Sequence, residues 1–126
     1  MNQMMNDKII LSVDFDGTLV ESDYPNIGNL KPNAKEIINR LYDEGYIILI
    51  NTCRSGIYEG DCYKFLNENG IKYHYINSNL PSQIEYFGQD CRKISANLYI
   101  DDKNLLGIPD DWNEIYELIQ KKFNEN

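Results

Sequence analysis

Four short apolar runs, "KIILSVDF", "YIILINT", "YHYIN" and "NLYIDD", punctuate the chain. They are rich in Ile, Val, Leu and Tyr and predict strands. The first, second and fourth end in Asp, Thr and Asp-Asp, so polar side chains collect where strands stop. Between them the spacing turns helical. From Pro32 to Glu44, Ile37, Ile38 and Leu41 share a face, with Pro32 in the first turn and Gly45 just past the end. From Ile57 to Asn69, Tyr58, Cys62, Phe65 and Leu66 share a face, with Ser55 as a candidate N-cap and Gly70 as the stop. A last helix, from about Asp110 to Phe123, carries the stripe Trp112, Ile115, Leu118, Ile119 and Phe123, which reads as core packing. The longest stretch without a clear pattern, Ser78 to Ser95, is long enough for a functional loop or a short helix around Ser82 to Phe87.

Strands alternating with helices imply βαβ units, so the expected fold class is α/β: a three-layer, Rossmann-like parallel sheet with the first strand central. In such sheets the ligand crevice lies beyond the carboxyl ends of the strands, where the strand order reverses. Asp14, Asp16, Thr52, Asp101 and Asp102 are all expected there.

The chain has 126 residues, 42% hydrophobic and 25% charged, which fits one domain spanning residues 1–126 with a single core. No apolar stretch approaches the roughly 20 residues of a membrane helix, so no membrane partner is expected. Residues 1–7, "MNQMMND", have neither a basic nor an apolar region of a signal peptide and are expected to be a flexible tail, with the protein in the cytoplasm. Cys53, Cys62 and Cys91 show no CxxC or Cys/His spacing and fit a reducing compartment. The net charge of −8 disfavours a nucleic-acid partner, which would need clustered Lys and Arg. His74, the only histidine, lies within a predicted strand and reads as structural.

Asp14 and Asp16 raise the main question of chemistry. Two carboxylates at i and i+2 after a buried strand either support an Asp-Gly turn or repel each other enough to require a cation. Mg²⁺ suits the second case, because it takes oxygen ligands and is held by one or two carboxylates plus a substrate phosphate. Asp101 and Asp102 would add carboxylates from a neighbouring strand, and their alternative reading is an Asx turn.

These residues carry a family resemblance. "ILSVDFDGTLV" resembles motif I of the haloacid-dehalogenase-like (HAD) phosphohydrolases, an apolar strand followed by DxDGT. "ILINTC" resembles motif II and "LYIDDKN" motif IV, over roughly Lys8 to Leu106. The resemblance implies a Mg²⁺-dependent phosphomonoester hydrolase acting on a small phosphorylated metabolite. Asp14 would be the nucleophile, forming an aspartyl-phosphate, and Asp16 the acid/base. Asp14, the Asp16 carbonyl and Asp101 would hold the metal, with Asp102 either a water-mediated ligand or an orienting group. Gly17 would permit the tight turn and Thr18 would fix the Asp16 carboxylate. Thr52, with neighbouring backbone N–H groups such as that of Cys53, would hold a phosphoryl oxygen, and Arg54 is a further candidate for the substrate phosphate. Lys93, or its neighbour Arg92, would supply the positive charge of motif III.

The second aspartate favours phosphate esters over carbon–halogen bonds. The intervals from Asp16 to Thr52 and from Thr52 to Lys93 are too short for a cap domain, so a capless site is expected, open to a bulky substrate or covered by a neighbouring subunit in a homo-oligomer. Two other readings stay open: a phosphotransferase using the same intermediate, and a low-turnover phosphate-binding or regulatory module. Tyr24 and Tyr58 read as core or rim, or as walls of a substrate pocket.

Overall fold

The computed structural model describes residues 8–124, and the expected N-terminal tail lies outside the described residues. Four parallel strands, β1 (Ile10–Asp14), β2 (Ile47–Asn51), β3 (Tyr75–Ile76) and β4 (Leu98–Ile100), form one sheet in the order β3-β2-β1-β4. Four helices, α1 (Ala34–Asp43), α2 (Ile57–Glu68), α3 (Pro81–Phe87) and α4 (Trp112–Asn124), complete the α/β architecture. The first strand is central, as expected. In register, Asp14 lies opposite Asn51, and Val13 is paired on its other side with Ile100.

Alternation along the strands builds two unequal layers. Leu11, Val13, Ile48 and Ile50 face one side, where Ile37, Ile38 and Leu41 of α1, Cys62 and Leu66 of α2, and Trp112, Ile115 and Ile119 of α4 cover them. Ile10, Ile47 and Leu49 face the other side and meet only Ile94, Leu80 and Ala96 of the β3–β4 connection. Successive steps from β1 to β3 in one direction place α1 and α2 on the same face, and the return step to β4 places its connection on the opposite face. The expected helix between Ser82 and Phe87 is there, but α3 buries none of its residues, so this second layer is thin.

Several local expectations need correction. Pro32 and Asn33 precede α1, whose N-cap is Asn33 at φ 61°. The Asn33 side chain is drawn to Asp111 (2.9 Å) and caps no helical N–H. Gly56, and not Ser55, is the N-cap of α2, and again no side chain caps it. Leu118 is exposed although it falls in the predicted stripe of α4. The third strand is only two residues long, because the His74 ring enters the ladder: its Nδ1 accepts the Ile48 N–H at 3.0 Å, while the His74 N–H donates to the Ile48 carbonyl. No helix among the described residues is long and apolar enough to cross a membrane.

Candidate functional site

β1 is the point where the strand order reverses, since the chain leaves it toward β2 and returns on its far side as β4. The carboxyl ends of β1 and β4 therefore border the crevice. Phe15 is fully buried and packs edge-on to Phe65 (ring centroids 5.9 Å), which anchors the turn and leaves Asp14 and Asp16 at the rim.

Carboxylate oxygens of Asp14, Asp101 and Asp102 all lie within 4.8 Å of one another. Among the described residues no Lys or Arg forms an ion pair with any of the three. Burial, followed by repulsion from Asp101, pushes the Asp14 carboxyl up to about 7. Thr18 organises the group: its hydroxyl donates to Asp14 Oδ2 at 3.0 Å and accepts the Asp102 N–H at 2.9 Å. Thr18 thus fixes Asp14, where Asp16 was expected. Asp101 Oδ1 accepts the Lys103 N–H at 2.8 Å, so the Asx turn exists alongside the cluster and leaves Oδ2 free of that bond. Gly17, at φ 92°, passes so close to Asp102 that a Cβ there would stand 2.4 Å from Oδ2. Glycine is required here both by conformation and by space.

Asp16 points away from this cluster. Both of its oxygens accept from Arg54, from Nε and from Nη2, each at 2.7 Å. Arg54 is only 2% exposed, and it also donates to the carbonyls of Pro25 (3.1 Å) and Asn26 (2.9 Å). Arg54 was expected to meet a substrate phosphate; here its guanidinium is instead turned to Asp16 and the β1–α1 loop, which take four of its five N–H donors. The side chain of Asp16 is outside the acidic cluster, which leaves its backbone carbonyl as the group able to face a cation. No described backbone or side-chain donor occupies that carbonyl.

Thr52 stands at the end of β2. Its N–H is taken by Asn77 Oδ1 (2.8 Å), and its Oγ1 accepts the Arg54 N–H (3.1 Å). The hydroxyl proton remains available, as does the N–H of exposed Cys53, for which no described acceptor is present. Lys93 is exposed, with its ammonium 5.2 Å from the centre of the Tyr99 ring, and among the described residues it pairs with no carboxylate. Arg92 is likewise exposed. The structure brings together Asp14, Gly17, Thr18, Asp101 and Asp102, with the Asp16–Arg54 pair beside them, but it does not bring Lys93 or Arg92 into contact with Asp14.

Three contributors escape a reading of the sequence. Asn77, at φ 54°, orients Thr52. Asn79 is buried and ties Asp90, Cys91 and Ser95 together, fixing the loop that follows β3. Trp112 donates its indole N–H to the Thr18 carbonyl at 3.0 Å, so α4 is tied to the turn that follows β1. The Asn at a strand end was the only visible signal among these. A separate groove of about 450 Å³ between the Pro25–Ile27 loop and α2 contains none of the candidate site residues.

Fold and site together define an open parallel α/β protein with an acidic cluster at its topological switch point. The chain is similar to a solved structure described as a conserved protein from Bacteroides thetaiotaomicron, with 35% sequence identity, a TM-score of 0.82, and coverage of 92% of this chain and 93% of that one. At that identity and coverage the two belong to one family. No family model and no curated protein matches the chain.

Proposed function

We propose that the protein is a Mg²⁺-dependent phosphomonoester hydrolase of the HAD-like type, working on a small phosphorylated metabolite in a reducing, cytoplasmic compartment. The observation that carries this reading is the placing of Asp14: the aspartate of DFDGT that would attack phosphorus stands at the switch point, held by Thr18 and within 4.8 Å of both Asp101 and Asp102.

The residues fit a hard divalent cation. The donors are all oxygen, among the described residues the three carboxylates form no ion pair, and the Asp16 carbonyl carries no described donor. Asp14, the Asp16 carbonyl and Asp101 would hold the ion, with Asp102 directed by its own N–H bond to Thr18. When bound, Mg²⁺ supplies charge neutralisation that lets an anionic carboxylate approach an anionic phosphate.

The protein's own groups account for the remaining steps. The Thr52 hydroxyl and the Cys53 N–H are the donors available to a phosphoryl oxygen. Asp14 attacks phosphorus, a P–O bond to Asp14 forms, and the ester P–O bond breaks as the leaving oxygen takes a proton from Asp16. Water then attacks the aspartyl-phosphate, gives its proton to Asp16 and restores Asp14. A carboxylate has about four lone-pair sites, so two N–H bonds from Arg54 leave Asp16 room to accept that proton.

The test is hydrolysis of p-nitrophenyl phosphate with Mg²⁺, with chelator, and by Asp14→Asn. Turnover should appear in the first condition alone, and the substitution should lower it by at least about 10³-fold, as loss of a nucleophile does. Turnover that survives in Asp14→Asn would refute the assignment. Magnesium binding without turnover of any monoester would favour the binding-module reading.

A further inference from the structure

Tyr24 and Tyr58 are the unexplained neighbours of this site. Tyr24, in the β1–α1 loop, is 58% exposed, and Tyr58, in the first turn of α2, is 37% exposed. Their rings meet edge to face at 5.6 Å. So little burial contributes little to folding, yet the pair has a defined contact with a buried group. The Arg54 guanidinium lies 5.0 Å from the centre of the Tyr24 ring, and the same guanidinium grips Asp16 at 2.7 Å and the carbonyls of Pro25 and Asn26. One buried, planar group thus fixes an exposed aromatic ring relative to Asp16. Neither phenol hydroxyl bonds to another described side chain or backbone group in the way the hydroxyls of Tyr73, Tyr99 and Tyr116 do.

In the mechanism above, Asp16 is the carboxylate that exchanges protons beside the leaving oxygen, so whatever flanks Asp16 flanks the leaving group. That flank is an aromatic pair in edge-to-face contact, whose two hydroxyls have no partner among the described residues. We propose that Tyr24 and Tyr58 form the leaving-group subsite and select phosphomonoesters whose leaving group carries a ring, a sugar or a nucleoside, over open-chain esters. The apolar face of such a ring packs on an aromatic side chain, and its hydroxyl or amide edges meet the phenols. The inference rests on the phosphatase reading for the placing of phosphorus, but the aromatic pair and its attachment to Asp16 stand on the geometry alone.

The deciding experiment compares a hexose phosphate, a nucleoside monophosphate and glycerol 2-phosphate as Mg²⁺-dependent substrates of the wild type, Tyr24→Ala and Tyr24→Phe. The wild type should prefer at least one ring substrate. Tyr24→Ala should lower the ring-to-chain ratio of kcat/KM by about 5- to 150-fold, the range that loss of one stacking contact produces, mostly through KM. Tyr24→Phe, which keeps the ring, should hold the ratio within about 3-fold. The two ring substrates distinguish a sugar source from a nucleoside source. A wild type without ring preference, or a ratio unmoved by Tyr24→Ala, overturns the inference even if hydrolysis is rapid. Calorimetry of the same phosphates with Mg²⁺ and Asp14→Asn gives a readout without turnover. Ring-selective binding that Tyr24→Ala abolishes, in a protein that hydrolyses nothing, would sink the phosphatase reading and leave the subsite standing. Binding without ring selectivity would overturn the subsite.

Discussion

At the scale of single residues, Gly17 and Asp14 carry the sharpest consequences. Gly17→Ala asks for a side chain at φ 92° with its Cβ 2.4 Å from an Asp102 oxygen. The strained backbone costs about 1–2 kcal/mol, and the clash is relieved only if the Asp102 carboxylate moves from its place in the cluster. The variant should lose about 1–3 kcal/mol of stability in a urea melt, and its Mg²⁺-dependent turnover should fall by more than about 10-fold. Asp14 has the opposite sign. Its carboxyl is raised from 3.8 to about 7 in the fold, so the folded state binds the proton more tightly than the unfolded chain. The stability this gives is complete below pH 3.8 and is lost as pH rises to about 7. In chelator at pH 8, Asp14→Asn should therefore be more stable than wild type, by about 1–2 kcal/mol once solvent screening at the open rim is counted. The difference should vanish near pH 4. An Asn that destabilises the protein at pH 8 would show that Asp14 is not a source of electrostatic strain.

At the scale of elements, strands and their polar ends were legible because alternation and apolar runs are local signals. Ile10–Asp14 and Ile47–Asn51 fall within the runs read as strands, and Asp14 at the end of β1 meets Asp101 and Asp102 after β4 as expected, while the Asp16 side chain turns to Arg54. What was not legible depends on side chains reaching across the fold. Arg54 finds Asp16 from 38 residues away, and Trp112 finds the Thr18 carbonyl from 94 away. No period or cap rule encodes such a pairing, so the sequence presented Arg54 as a phosphate ligand and Trp112 as plain core. His74 is an intermediate case: its structural role could be read, but not the ring's place in the β2–β3 ladder. Nδ1 accepts the Ile48 N–H, which only an imidazole unprotonated at that nitrogen can do. Burial lowers the His74 pKa from 6.5, so its contribution is present above that value and is lost as pH falls through the lowered folded value. His74→Ala should cost about 1–2 kcal/mol at pH 8, from the unsatisfied N–H and the lost stacking on Tyr42, whose ring centre lies 4.5 Å away. In chelator-free buffer below pH 6 the penalty should shrink, and urea melts of the two proteins at both pH values check this.

For the whole molecule, an acidic protein of net charge −8 gathers unpaired carboxylates at one point of its sheet, and the fold tolerates this only at a cost. A cation that binds the folded form alone reverses that cost by mass action, adding about 2.7 kcal/mol at a concentration 100 times its dissociation constant. For a chain of this size that corresponds to a rise in Tm of roughly 10 °C. General screening of the negative charge would also stabilise the protein, so the comparison is Mg²⁺ against NaCl at equal ionic strength. Mg²⁺ should raise Tm well beyond NaCl in the wild type. Asp101→Asn should remove most of the difference, while Asp110→Asn, which sits on an exposed ion pair with Lys31, should leave it intact. Equal shifts in NaCl and Mg²⁺ would mean that the cluster is merely an unscreened acidic surface. A Mg²⁺ shift that survives Asp101→Asn would move the ion elsewhere on the molecule, and with it the case for Asp14 as a nucleophile.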